Sequence, residues 1–132
     1  MGTRAVYTFI DDTDDRHSVY KHWDGYPSGA CGFISKALKK AWPLPRFEAD
    51  EFAAAFVAAN KQESGDIRLT SGPDAHSDLE YTYEISCPDG QLHIRINEVN
   101  FAGPGCCDTN YLPLFEGTLD EALVFAGEFS RV

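Results

Sequence analysis

Two short runs in the second half of this chain constrain its fold more than any other feature. Leu79-Glu80-Tyr81-Thr82-Tyr83-Glu84-Ile85 and Leu92-His93-Ile94-Arg95-Ile96 alternate apolar and polar residues without a break. Successive side chains of a strand project to opposite faces, so each run predicts a strand with one face in a core and one in water. Between them lies Ser86-Cys87-Pro88-Asp89-Gly90-Gln91, and Pro-Asp-Gly is turn chemistry, so the pair reads as an antiparallel hairpin. A loop pairing Cys87 with Gln91 sets Ile85 opposite His93 and mixes the faces. Pairing Ser86 with Gln91 sets Ile85 by Leu92, Tyr83 by Ile94, Tyr81 by Ile96 and Glu84 by His93, and keeps the faces apart. A one-residue slip would move a whole apolar set into water, so the second register is expected.

The rest of the chain is read against that hairpin. Ala5–Ile10 and His17–Trp23 have strand character, and the acidic run Asp11-Asp12-Thr13-Asp14-Asp15 between them is a solvated turn that lacks the residue pattern of a calcium loop. From Ala30 to Trp42 a helix is expected, with Ile34, Ala37, Leu38 and Ala41 on one stripe, Ser28 as N-cap and Pro43 as the stop. A second helix runs from Ala49 to Lys61 with Phe52, Phe56 and Ala59 on its apolar face. A short strand over 66–70, an edge strand over 110–115 limited by Pro113, and a helix opened by the Thr118/Glu121 capping box complete the order ββααβββ(β)α. Strands in hairpins and grouped helices predict an α+β domain spanning 1–132, with an antiparallel sheet of about five strands and three helices packed mainly on one face.

Charge limits the partners. The chain carries 11 Lys and Arg against 21 Asp and Glu, a net of −10. That balance opposes binding nucleic acid through the acidic region, or an anionic membrane surface, because both depend on basic side chains. The imbalance is uneven: residues 1–47 hold seven basic and five acidic side chains, residues 48–132 four and sixteen. No apolar stretch has the length of a membrane span, and the N-terminus has no secretory pattern, so a cytoplasmic protein is expected. Cys31, Cys87, Cys106 and Cys107 lack zinc-site spacing and read as incidental or buried thiols; no metal and no cofactor are expected.

Met1-Gly2-Thr3-Arg4, followed by Tyr20-Lys21-His22-Trp23-Asp24-Gly25-Tyr26-Pro27-Ser28-Gly29, resembles a group of small uncharacterised bacterial and phage proteins. That group shares the opening and a Tyr-x-x-x-Asp-Gly-Tyr-Pro-x-Gly signature. The resemblance covers about the first thirty residues and implies a shared N-terminal architecture and a phage or prophage origin, with no catalytic assignment. Physically the signature is a strand end, a tight turn and a helix start, in which Gly25 is free to take a positive φ and Ser28 to cap.

Two functions are in view. One is a non-enzymatic protein-binding module with an acidic face made of Glu80, Glu84, Asp74, Asp78, Glu98 and Asp108, directed at a partner with a basic surface. With a phage origin, an inhibitor of a host nucleic-acid-targeting defence system fits that description, acting in the host cytoplasm. The alternative is a small enzyme or ligand-binding domain in which His22, Asp24, Tyr26, Ser28 and Gly29 form a loop for a phosphate- or nucleotide-containing ligand. There the free amides of Gly29 and Ala30 at a helix start would face the anion.

Overall fold

The apolar hexapeptide Ala5–Ile10 forms strand β1 and occupies the middle of the sheet. The computed structural model describes residues 3–101 and 109–129. On one side β1 pairs antiparallel with β2 (Arg16–Lys21), and β2 with β3 (Ile67–Thr70). On its other side β1 pairs with β4 (Tyr81–Ser86), and this pairing is parallel. Antiparallel neighbours β5 (His93–Phe101) and β6 (Thr109–Thr118) extend the sheet to the order β3-β2-β1-β4-β5-β6.

The sheet is therefore mixed and six-stranded, not antiparallel with five. A parallel neighbour needs a long crossover, and everything from β2 through both helices to β3 and the segment 71–80 supplies it. The sixth strand is complete because a bulge carries the chain past Pro113. The register shifts between Ile96 and Asn97, so that Pro113, which has no N–H to give, stands opposite Asn97 on an edge strand.

The β4–β5 hairpin keeps its faces but not its expected register. Ser86 pairs with His93, Ile85 with Ile94 and Tyr83 with Ile96, two positions from the pairing read off the sequence. A shift of two preserves which side chains face inward, so the alternation alone did not discriminate against it. The physical reason is Leu92. It leaves the strand, is buried in the core, and its carbonyl accepts the Leu119 amide at 3.2 Å, which lengthens the loop.

All three helices pack on one face. Helix α1 (Pro27–Lys40) buries Ala30, Cys31, Ile34 and Ala37; α2 (Ala49–Asn60) buries Phe52 and Phe56; α3 (Leu119–Phe129) buries Ala122 and Ala126. Pro27 rather than a residue beyond Ser28 begins α1, where the missing N–H is one the helix would leave unbonded anyway. The N-cap is Tyr26, and Ser28 makes no capping bond. The capping box at α3 forms as expected: Glu121 Oε1 accepts the Thr118 amide at 2.9 Å and Thr118 Oγ1 accepts the Glu121 amide at 3.2 Å.

Aromatic rings fill the interface between sheet and helices. Tyr7 lies 4.6 Å from Phe56, Phe9 5.4 Å from Phe52, and Tyr7 stacks on Tyr83 with centroids 4.9 Å apart. Burial pushes both phenols well above their ordinary pKa. Their hydroxyls differ: Tyr83 donates to the Gly25 carbonyl, whereas the Tyr7 hydroxyl is buried without a partner among the described residues. Two substitutions of the same atom should therefore have unlike effects. Tyr83→Phe strands a buried carbonyl and is expected to cost about 1–3 kcal/mol, while Tyr7→Phe is expected to be neutral or slightly stabilising. Urea denaturation of the two variants checks this, and equal losses would refute the assignment.

Candidate functional site

Among the described residues no α-helix packs on the sheet face away from α1, α2 and α3, and the strand registers lay its side chains in rows. One row crosses all six strands: Thr70, Ser18, Thr8, Glu84, Arg95, Glu116. The next runs Arg68, Tyr20, Val6, Thr82, Asn97, Pro113. Residues 71–80 cross this face as a strap between β3 and β4, and contacts from four of its residues hold it down. His76 stacks on Tyr20 at 4.5 Å, and its Nε2 lies 2.8 Å from Thr70 Oγ1. Leu79 buries against Val6 and Tyr20. Asp78 pairs with Arg4 at 3.2 Å, and Asp74 accepts the Tyr111 hydroxyl at 3.1 Å. Burial lowers the His76 pKa and Arg68 lowers it further, with Asp78 opposing, so the ring under the strap favours its neutral form.

Beneath and beside the strap lies a groove of about 820 Å³. Its floor is Thr8, Ser18, Thr82, Glu84 and Asn97; Asp74 and Tyr111 overhang it, and it continues past Arg16 and His17 toward Asp50 and Val57 of α2. A second, shallower depression adjoins it along Glu84, Arg95 and Glu116. Those three side chains are linked: Arg95 contacts Glu84 at 3.4 Å and Glu116 at 3.2 Å, and His93 contacts Glu116 at 3.0 Å. The His93 and Arg95 contacts hold the Glu116 carboxyl below its usual range.

Of the acidic residues singled out in the sequence, the fold brings Asp74 and Glu84 into this one groove. Asp78 and the exposed Glu80 lie on the strap. Glu98 stands opposite Tyr81 and shares the helix-side face with Ile94 and Ile96, so it is not on the open face. Asp108 lies outside the described residues, as do Cys106 and Cys107.

A denser acidic surface was not legible in the sequence. In the turn after β1, Asp11 Oδ2 accepts the Ala49 amide at 3.0 Å, and Oδ1 accepts the Thr13 hydroxyl at 2.6 Å and the Thr13 and Asp15 amides at 3.0 and 3.2 Å. Asp11 thus caps α2 from 38 residues away, a function its nominal N-cap, Glu48, does not perform with its side chain. The Ala49 amide first, then the Thr13 hydroxyl, draws the Asp11 pKa down to about 2. This contact sets Asp12, Asp14 and Asp15 beside the helix start that bears Glu48, Asp50 and Glu51. The cations paired there among the described residues are Arg16 with Asp14 at 3.7 Å, Arg46 with Glu48 at 3.4 Å, and His17 with Asp15 when protonated.

The His22–Gly29 loop sits elsewhere and is tightly packed. His22 Nδ1 meets the Tyr20 hydroxyl at 2.9 Å. Positive φ falls on Asp24 (59°), not on Gly25. Gly25 is required for another reason, since a Cβ there would lie 2.6 Å from the Ala5 Cβ, and one on Gly29 would lie 2.2 Å from the Asp24 carbonyl oxygen. The Ala30 amide donates to the Tyr26 carbonyl at 2.9 Å, so it is not free for an anion as expected. Tyr26 and Ser28 are exposed.

Burial pushes the Cys31 thiol up to about 11 and raises that of Cys87. Among the described residues no group of three or more His, Cys, Asp or Glu side chains is placed to hold a metal ion, and no helix is long and apolar enough to cross a membrane. Compared with protein-family models, curated proteins and solved structures, the chain matches none.

Two predictions follow from this geometry. Asp11 has a folded pKa below its unfolded value, so its contribution to stability is complete above the unfolded pKa and is lost as pH falls through about 2. Asp11→Ala should melt at a lower temperature than the parent near neutrality, and circular dichroism melts should show the gap closing as the pH approaches 2. In the signature loop, Gly29→Ala should cost on the order of 3 kcal/mol and Ser28→Ala less than about 0.5, measured by denaturant titration.

Proposed function

We propose that the protein is a small binding module without catalytic chemistry of its own, docking through acidic surface on a basic region of another protein. The observation that carries this reading is the joining of the Asp11–Asp15 turn to the start of α2 by the Asp11–Ala49 bond. Seven carboxylates, from Asp11, Asp12, Asp14, Asp15, Glu48, Asp50 and Glu51, belong to that end of the molecule against the guanidinium groups of Arg16 and Arg46. A fixed array of one sign speeds encounter with the opposite sign and discriminates against nucleic acid, whose own binding channels on proteins carry the charge this surface would meet. The acidity and the N-terminal resemblance to phage proteins together support a specific form: an inhibitor of a host nucleic-acid-targeting defence enzyme.

The test uses the exposed members and spares the helix cap. The triple variant Asp12→Lys/Asp14→Lys/Asp15→Lys should keep the parent melting temperature. Its capture of nucleic-acid-binding proteins from a host lysate should fall by roughly tenfold or more, as should capture by the parent in high salt. Duplex DNA added as competitor should displace the captured protein. Capture that resists salt and survives the triple substitution would remove the basis for the proposal.

A further inference from the structure

We infer that the strapped groove on the open sheet face is a binding site for a neutral, hydroxyl-rich small molecule of the saccharide class. This assignment does not depend on the acidic docking surface and rests on different residues.

The floor is the first argument. Thr8, Thr82 and Asn97 are only 8%, 5% and 9% exposed, yet they are polar, uncharged and line a cavity instead of packing under a helix. Their mutual hydrogen bonds use a fraction of their capacity. The Thr8 and Ser18 hydroxyls lie 2.8 Å apart, which engages one of their two protons. Asn97 Nδ2 donates to Thr82 Oγ1 at 3.4 Å, leaving the Thr82 proton, the second amide proton and the carboxamide oxygen without a protein partner among the described residues. Among the described residues, the buried side-chain atoms without a hydrogen-bond partner belong to Arg4, Tyr7, Asn60 and Asp66, none of which lines the groove. The spare capacity of Thr82 and Asn97 therefore faces the groove and bonds to water until a ligand replaces it. The groups both donate and accept, on neighbouring side chains of one row and the next. Vicinal hydroxyls of a sugar ring have the same dual character.

Charge and shape narrow the class. Asp74 and Glu84 accept hydrogen bonds and repel anions, while the guanidinium in the lining, Arg16, is paired with Asp14 at 3.7 Å. A phosphate or carboxylate ligand would meet three carboxylates, those of Asp50, Asp74 and Glu84. Tyr111, 39% exposed and tethered by its hydroxyl to Asp74, puts an aromatic ring at the groove edge, where the C–H face of a pyranose packs well. A volume of about 820 Å³ lies in the range of small-molecule sites and admits an oligosaccharide of a few rings. A peptide is less suited, because strand addition needs unpaired backbone at a sheet edge, and this floor is a sheet face presenting side chains.

Saturation-transfer NMR on the intact protein decides the matter. The probes are glucose, galactose, mannose, N-acetylglucosamine, cellobiose and maltotriose, with glucuronic acid as the anionic control and hexalysine as the peptide. At least one neutral saccharide should bind saturably at millimolar concentration, and glucuronic acid should bind more weakly than glucose. Thr82→Val, which keeps the side-chain volume, should weaken that binding about tenfold, the equivalent of one lost hydrogen bond. Ser18→Ala, at a less buried position, should do the same and serves where Thr82→Val fails to fold. The inference is overturned if no neutral saccharide binds, if binding is unchanged in the folded variants, or if hexalysine alone protects the groove.

Discussion

The parallel pairing of β1 with β4 is the join on which the whole sheet depends. The strands β3-β2-β1 and β4-β5-β6 are each antiparallel units made of neighbours that hairpins or helices bring together, and they meet along this single seam. Tyr7 on β1 and Tyr83 on β4 face each other across it at a stacking distance, under Phe56 of α2. Tyr83 then ties the seam to the signature loop through the Gly25 carbonyl, and Gly25 itself is pressed against Ala5 at the start of β1. The close approach explains why a glycine is needed there: the loop, the first strand and the seam occupy adjoining space with no room for a Cβ. Polar bonding and ring packing thus act on the same few residues, and the register of each row on the open face passes through the seam they fix.

What the sequence disclosed follows from how local each signal is. Alternation in 81–85 and 93–96, the apolar stripes of α1 and α2, and the Thr118/Glu121 box are all encoded within a few residues, and each appears in the structure, whereas Leu79, expected to open the strand on the same face as Tyr83, lies on the strap and buries with Val6 and Tyr20 on the other face. The parallel seam is not encoded that way. No periodicity says which distant strand lies beside Ala5–Ile10, and the absence of βαβ alternation pointed to an antiparallel sheet because the crossover here is long and itself contains two strands and two helices. The hairpin register was open for a related reason: parity separates one-residue slips and is blind to two-residue shifts, so a core requirement at Leu92 decided it.

The charge distribution shows the same division. By segment, the acidity belongs to the last two-thirds of the chain, yet the carboxylates that the Asp11–Ala49 bond brings together draw on the first third as well. Asp11 reads as one member of a solvated acidic turn until Ala49 is found at hydrogen-bond distance. Its Oδ1 organises the turn and its Oδ2 caps a helix, so one residue of the run is structural and its neighbours are left as charge. Glu98 moves the other way. It looks equivalent to Glu84 in an alternating strand, but it shares the parity of the inward residues Ile94 and Ile96, which sends it to the helix side.

The register that the sequence left open also sets the chemistry of the groove. Had Ser86 paired with Gln91, Thr82 would stand beside Arg95 and Glu84 beside His93, putting a guanidinium into the floor and a titratable imidazole against its carboxylate. The observed pairing gives Thr82 to Asn97 and Glu84 to Arg95. The floor around Thr8 and Thr82 consequently receives no guanidinium, and the Glu84 carboxylate beside it is matched by Arg95. Arg95 is held outward in turn by Glu116 on β6, whose position opposite it is reached before the bulge at Pro113 shifts the rest of that strand. A buried leucine at the hairpin end and a proline-borne bulge at the sheet edge, neither of them in the groove, therefore determine that Thr82 meets Asn97 in its floor and not a guanidinium.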